Sequence, residues 1–524
     1  MKTSRLSATL LVGILLCFMV TSSGLAQLTT DWEYAFNENF TPKSSANSLD
    51  LTSDHRLTVV GYEYSGYFDY RFLAFKLDLD GNYVSHVNHS SISIGSHVEE
   101  DSNGNFILLT NPNSDTGFVR YLDPDYELKW LKEFDGYIGE VHGTSNNYLI
   151  VPVAPLYDDP QLYLLTRQGT EVWSVTVEIP GNNGNTDVVE TSDGGFVFAT
   201  NEFGGILYLV KIDSNGQLVW INQHNFNDTY ITGSVNYMVD GGFLISGYIQ
   251  DNSTNIGIVK FDSDGDYIFM GEGVYGESVE MGDGSIMNVD YREQEACTIL
   301  RYDASGHLLA EYEYEFNNPP VFEQRIADVE ITGDSSFAVC GRCGNELFNR
   351  MSAFVTHFTL PPTDVEINIE AYRQPLFIRQ QGVFYWYGEV RNNTASPMTR
   401  DVWVQARKPD GSLSGALALW SDLEIPANGE ITATVRQGVP LDAPLGEYNY
   451  IVRIGDYPNP QFQHHFALTV VDGQPSGPDV NTDLSPPDFV PDRPLKPSDF
   501  SLDISPDTWN GEPVAARHDL SAEK

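Results

Sequence analysis

Several groupings in this chain have residue types and spacings suited to chemistry. Asp78-Leu-Asp80-Gly81 and Asp262-Ser-Asp264-Gly265 place two carboxylates and a glycine in a tight loop, as the opening of a calcium loop does. A complete loop of that kind needs further oxygen ligands and a closing bidentate glutamate, and neither follows here. A plain hairpin turn is the simpler reading. Ca²⁺ stands as the alternative, and no cofactor is assigned. Cys340-Gly-Arg-Cys343 has the spacing of a redox dithiol, but its flanks lack the βαβ pattern that carries one. With Cys297 it leaves three cysteines after residue 26, so the expectation is one bridge from Cys297 to either partner, or simple burial. His464-His465 reads as a surface strand pair rather than metal ligands. A His-Glu-x-x-His zinc motif, a serine nucleophile elbow and a phosphate loop are all absent from the sequence. No catalytic or metal residue is assigned.

What remains is a candidate recognition surface. Tyr64 and Tyr67, with Tyr62 and Tyr70 around them, then Tyr157 beside Asp158 and Asp159, then Arg292, and Arg350 near Arg342 and Phe348, fall in turn-rich segments between apolar runs. Aromatic rings with a few charges suit a glycan or peptide ligand. Tyr64, Tyr67, Tyr157, Arg292 and Arg350 are therefore the candidate ligand-binding residues.

The elements that must position them repeat. A turn followed by an apolar strand appears at Ser53–Leu57, Ser102–Phe106, Ser145–Tyr148, Ser192–Phe196, Val239–Phe243, Gly282–Ile286 and Gly333–Phe337, at intervals of 42 to 51 residues. A second turn alternates with it, at Asp78–Gly81, Asp123–Tyr126, Arg167–Gly169, Asp213–Gly216, Asp262–Gly265 and Asp303–Gly306. Trp130, Trp173 and Trp220 follow this turn at equivalent places, with Phe269 in the fifth unit. In the fourth unit the pattern predicts strands over 187–190, 196–201, 207–212 and 218–223. Four short antiparallel strands per unit, seven times over, predict an all-β chain with a seven-bladed β-propeller at 27–360. The last unit lacks its fourth strand, whereas Asp31-Trp32-Glu-Tyr-Ala-Phe36 matches Lys129-Trp130-Leu-Lys-Glu-Phe134. The N-terminal strand is expected to pair with the strand containing Phe354 and close the ring.

Val210-Lys-Ile-Asp213-Ser-Asn-Gly216 with Trp220 resembles the repeat of bacterial quinoprotein-type propellers and their non-catalytic relatives, and Asp193-Gly-Gly-Phe196 resembles exported bacterial propellers with C-terminal sorting domains. The quinone-dependent enzymes of that family imply eight blades and adjacent cysteines. Here seven units are counted and Cys340 and Cys343 are not adjacent. The resemblance thus implies the fold more than an activity.

The remaining segments follow. Lys2 and Arg5, the apolar run from Leu10 to Val20, and Gly24-Leu25-Ala26 read as a secretory signal peptide over 1–26. No later segment is long and apolar enough to span a bilayer. Period-two runs at 381–390, 402–406, 431–435, 448–454 and 466–471 predict an immunoglobulin-like β-sandwich over 361–472. Residues 473–524 read as a disordered linker and the remnant of a sorting domain, which Pro497–Leu502 and Pro506–Asn510 resemble.

A formal charge of −44, with only 29 Lys and Arg, argues against nucleic acid as a partner. The sequence therefore points to a monomeric, secreted or cell-surface binding or scaffold protein with a glycan or protein ligand. The rival is a propeller enzyme acting on polysaccharide or using a quinone. Acidic residues converging with a His or Arg on the propeller axis would favour that rival, and a Ser, Thr and apolar lining would favour binding.

Overall fold

The computed structural model describes residues 28–36, 43–64, 70–89, 95–101, 103–113, 116–155, 158–179, 187–202, 206–226, 234–251, 254–272, 276–290, 296–316, 323–345, 350–372, 375–472, 500–504 and 514–515. Among the described residues every regular element is a strand, and no helix is long and apolar enough to cross a membrane.

The repeats fold into successive antiparallel sheets. Sheet I is Lys43–Leu51, Arg56–Tyr64, Tyr70–Asp78 and Tyr83–His89; sheet II is His97–Glu100, Phe106–Asn113, Thr116–Leu122 and Leu128–Asp135. In sheet III the first strand is split into Tyr137–Ile138 and His142–Gly143, ahead of Tyr148–Ala154, Gln161–Thr166 and Glu171–Thr176. Sheet IV is Asp187–Glu190, Phe196–Glu202, Ile206–Ile212 and Leu218–Asn225, within two residues of the boundaries that the period-two pattern predicts. Sheet V runs Val235–Tyr237, Phe243–Asp251, Thr254–Phe261, Tyr267–Glu272, and sheet VI Ser278–Glu280, Ile286–Val289, Cys297–Tyr302, Leu308–Tyr314. Sheet VII takes Glu323–Gly333, Ser336–Asn345 and Arg350–Thr359 from its own repeat and Thr29–Ala35 from the start of the chain. That last strand pairs Ala35 with Phe354 and Trp32 with His357. Each sheet lies against the next through its first strand or the strand beside it, and Glu323–Gly333 returns to Lys43–Leu51. The arrangement is a β-propeller.

Two local devices hold the sheets together. The first is the Asp turn. Asp78, Asp123, Asp213, Asp262 and Asp303 each accept, through Oδ1, the backbone N–H groups two and four residues on. These carboxylates therefore close hairpins, which accounts for the calcium-like spelling of the motif. The second device is an aromatic lid. Trp32, Trp130, Trp173, Trp220 and Phe269 each cover the positive-φ glycine of the next sheet's Asp-type turn, respectively Gly81, Gly169, Gly216, Gly265 and Gly306. A Cβ on Gly81 would stand 2.6 Å from the Trp32 ring, so only glycine fits beneath it. The indole N–H groups of Trp32 and Trp130 donate to Leu79 O at 2.9 Å and Arg167 O at 2.8 Å. Apolar clusters fill the space between neighbouring sheets, among them Val197, Leu209, Phe243 and Phe261 between sheets IV and V.

The three cysteines after residue 26 are buried and unbridged. Of the two expectations for them, burial is the one observed. Burial pushes the Cys297 and Cys343 thiols up to about 12, so the Cys340/Cys343 pair has no redox-active thiolate at neutral pH.

Residues 365–471 form two sheets around one core. The first contains Val365–Ala371, Val383–Asn392 and Glu430–Gly438; the second contains Phe377–Arg379, Asn459–Val471, Gly446–Asp456, Met398–Arg407 and Ala418–Ile425. Phe500–Ile504 and Val514–Ala515 add to these sheets in parallel, beside Ala433–Gln437 and Ala418–Leu419.

This second body docks on the turns of sheets V and VI. Asp240 receives Lys260 Nζ at 2.7 Å and Arg453 at 3.2 Å, and Gln463 donates to Glu280 at 2.9 Å. Burial alone would raise the Asp240 pKa, but Lys260 and Arg453 outweigh it and hold the carboxylate well below its usual range. Gly241, at φ 90°, lies too close to the Gly411 carbonyl to carry a side chain. His464 and His465 are half-buried at this contact. That corrects their reading as a surface pair, because the sandwich strand bearing them lies against the propeller.

Candidate functional site

The five sequence-selected residues share one topological position. Tyr64, Tyr67, Tyr157, Arg292 and Arg350 lie in, or next to, the connection between the second and third strands of sheets I, III, VI and VII. That end of each sheet is opposite the turns on which the sandwich docks. Tyr64 is half-buried at the end of its strand, with the Lys43 ammonium 5.3 Å from its ring centroid. Tyr67, Tyr157 and Arg292 lie outside the described residues, and for Arg350 only the backbone is described, paired with Asn345.

The densest chemistry is elsewhere, on the axis. Successive residues of a strand alternate faces, so the residues two and four places before each first turn face the ring's centre together. In sheets I, II, III and VII the nearer position holds Asp50, Glu99, His142 and Glu330. The farther position holds His97, Glu140, Asp187, Glu277 and Asp328 in sheets II, III, IV, VI and VII. The groups feel one another across the ring. Burial and then the charge of Asp187 push the Glu140 carboxyl up to about 8, with Asp328 and Glu99 adding to the shift. Glu277 is raised well above the carboxylate range by burial, by the charge of Asp328 and by a hydrogen bond with Asp328.

Many of these carboxylates do structural work first. The inner edge of each sheet carries backbone N–H groups without a strand partner, and an acid of a neighbouring sheet accepts them. Asp328 accepts from Leu49 N at 2.8 Å, Asp50 from Glu100 N at 2.7 Å, Glu99 from Gly143 N at 2.7 Å and Asp187 from Val235 N at 2.6 Å. Near the turns, Glu100 takes Ser53 N, Glu190 takes Ser145 N and Glu280 takes Val239 N, at 2.6 to 2.7 Å.

His142 is the basic group in their midst. Its Nδ1 donates to Glu99 Oε2 at 2.9 Å, and its Nε2 faces Glu140 at 3.8 Å and Asp187 at 3.7 Å. Burial works against a charged ring, but Asp187 and Glu99 outweigh it and hold the His142 pKa well above the ordinary imidazole value. The His97 ring stands edge-on to His142, with centroids 5.5 Å apart. Among the described residues two groups have the composition and spacing to hold a metal ion, His97 with Glu99 and His142, and Glu140 with His142 and Asp187.

The sequence reading passed over all of these residues because they form no linear motif. Glu99, His142 and Asp187 are 43 and 45 residues apart, one repeat each. The available signal was vertical: stacking the seven repeats and reading the residues before the first turn gives an acidic column.

No protein-family model matches the chain, and no curated protein matches it. Solved structures resemble it weakly. The structure described as the Dos1 propeller is 10% identical with a TM-score of 0.40, covering 64% of this chain and 96% of its own. Sqt1 from Chaetomium thermophilum is 11% identical with a TM-score of 0.41, over 64% of this chain and 100% of its own. A protein of unknown function from Bacteroides caccae is 12% identical with a TM-score of 0.34, over 49% of this chain and 93% of its own.

Proposed function

We propose that this is an exported, monomeric binding or scaffold protein in which a seven-bladed propeller, closed by its N-terminal strand, presents a glycan or peptide site and an immunoglobulin-like sandwich serves as its base. In this reading residues 1–26 direct export, and the C-terminal tail is the vestige of a sorting signal. The observation that carries binding over catalysis is the use made of the axial acids. Asp50, Glu99, Asp187 and Asp328 each accept a backbone N–H of a neighbouring sheet, so a first use of these acids is to hold the ring together. The docking of the sandwich on the turn end supports it further, since the described strand ends that flank these five residues in the chain, at Tyr64, Ala154, Val289 and Arg350, belong to the opposite end of their sheets. The immunoglobulin-like reading is supported by Tyr448, whose hydroxyl donates to Pro444 O at 2.8 Å as in a tyrosine corner.

A second reading has its own observation. Acids do converge with a histidine on the axis, and Glu140, pushed up to about 8, stands near Asp187. A carboxyl that burial holds protonated, beside a second carboxyl, is the pairing a glycoside hydrolase uses. One experiment separates the two: glycan and peptide arrays probed with the chain from residue 27 onward, beside a polysaccharide hydrolysis panel. Binding that Tyr64→Ala and Arg350→Ala weaken supports the first reading. Hydrolysis that Glu140→Gln abolishes, with no array signal, replaces it by the second.

A further inference from the structure

The spacing around His142 points to a metal site. Its Nε2 lies 3.8 Å from Glu140 Oε2 and 3.7 Å from Asp187 Oδ1. Both distances exceed a hydrogen bond, which ends near ~3.2 Å. They sit close to the ~3.4 Å that separates two ligand atoms on one tetrahedral ion with bonds of about 2.1 Å.

The other side of the ring is set as it is in metal-binding imidazoles. Glu99 Oε2 accepts the Nδ1–H at 2.9 Å, so Nε2 is the nitrogen from which a bound cation would displace the proton, and Gly143 N fixes the second Glu99 oxygen at 2.7 Å. Asp187 is held by Val188 N at 2.8 Å and Val235 N at 2.6 Å, and each of its oxygens keeps a further lone pair. Beside this set, His97 leaves its Nε2 buried and without a hydrogen-bond partner.

We propose that Glu140, His142 and Asp187 bind one divalent transition-metal ion, with Glu99 as the positioning residue for the imidazole and His97 as the nearest further donor. Imidazole with carboxylates favours Zn²⁺, Co²⁺ or Mn²⁺ over Ca²⁺ and Mg²⁺, which take oxygen ligands alone. The ion ties sheet III to sheet IV, because Glu140 and His142 come from one and Asp187 from the other. The site goes beyond the binding reading above and does not depend on it.

The test uses the chain from residue 27 onward, stripped with a chelator and titrated separately with Zn²⁺, Co²⁺, Mn²⁺ and Ca²⁺. One equivalent of Zn²⁺ is expected to bind and raise the melting temperature, and Co²⁺ to give the visible absorption of a nitrogen- and oxygen-ligated site. Glu140→Gln and His142→Gln should each weaken Zn²⁺ at least tenfold, and Glu99→Gln roughly tenfold. Ca²⁺ at equal concentration should leave the melting temperature unchanged. Absence of any bound transition metal at about 100 μM overturns the proposal, since His142 then serves as a protonated bridge among the acids. Unchanged affinity in Glu140→Gln and His142→Gln also overturns it, as the sign of an adventitious surface ion only. If those variants fail to fold, the Co²⁺ spectrum of the unmodified chain decides, and a spectrum like that of aqueous Co²⁺ counts against the site.

Discussion

Glu99 accepts the Nδ1–H of His142 at 2.9 Å across the boundary between the second and third sheets. The same carboxylate accepts Gly143 N, so one side chain satisfies a ring donor and a backbone donor that the sheet edge leaves over. Removing it strands both. Glu99→Ala should lower stability by about 2–4 kcal/mol, and Glu99→Gln by about half as much because the amide oxygen still accepts one of the two. Urea denaturation of the three proteins at one pH checks the order.

The acids of the ring set a pH dependence with a definite sign. Burial pushes Asp50 and Glu280 up to about 7, in Asp50 against the backbone donor Glu100 N and in Glu280 with the help of Asp240. Both folded values lie above the unfolded ones, so their contribution is complete below about pH 4 and is lost as pH rises through 7. Asp240 has the opposite sign, since its depressed value stabilises the fold above its unfolded pKa and is lost in acid. Stability in chelator is therefore expected to peak near pH 5 and fall toward pH 8. Asp50→Asn and Glu280→Gln should each flatten the alkaline limb, as followed by melting temperature across that range.

Gly81→Ala tests the lid of Trp32. The new methyl meets the indole and also takes a residue at φ 81° into a conformation that L side chains resist. A loss of about 2–4 kcal/mol is expected, with Trp32→Ala partly relieving the clash so that the double variant is less than additive. Deleting residues 29–35 should cost more, because it exposes the edge of Arg350–Thr359 and invites association, read by light scattering.

Asp240→Asn breaks the pairing on which the two bodies meet. It leaves Lys260 and Arg453 buried without their counter-charge, which costs about 3–5 kcal/mol. In calorimetry the variant should unfold in two transitions if the intact chain unfolds in one. A single unchanged transition would show that the contact at Asp240 does not couple the two bodies.

The cysteines offer an inexpensive check. In the chain from residue 27 onward a thiol reagent should label none of Cys297, Cys340 and Cys343 under native conditions and all three in denaturant, with no reductant added.

Much of the fold was legible because its signals are local. Asp213 and Gly216 spell a turn whose hydrogen bonds lie within five residues, and Trp220 marks the strand beyond it. Even the pairing of Thr29–Ala35 with the strand of Phe354 could be read, since a repeat that lacks a strand and an end that supplies one match by pattern. The axial cluster was not legible in the same way. Asp50, Glu99, Asp187 and Asp328 look like ordinary acids of an acidic chain until the ring places them side by side. Their meaning lies in which backbone N–H groups they meet, and those groups belong to other repeats. The loop residues fared differently: Tyr64 and Arg350 were chosen by composition, which says nothing about whether their side chains converge.

The seam between the two ends of the repeating region also orders events in time. Asp31 accepts from His357 and Thr359, partners 326 and 328 positions later in synthesis. A strand made among the first must wait for one made hundreds of residues afterward, so the ring cannot be completed until Arg350–Thr359 has emerged. The intermediate sheets can form as they appear, each from its own contiguous segment, but the final register is a long-range contact with a large loop to close. Until then the repeating region keeps two open edges at its extremities, and it becomes a closed object only when Thr29–Ala35 pairs with Arg350–Thr359.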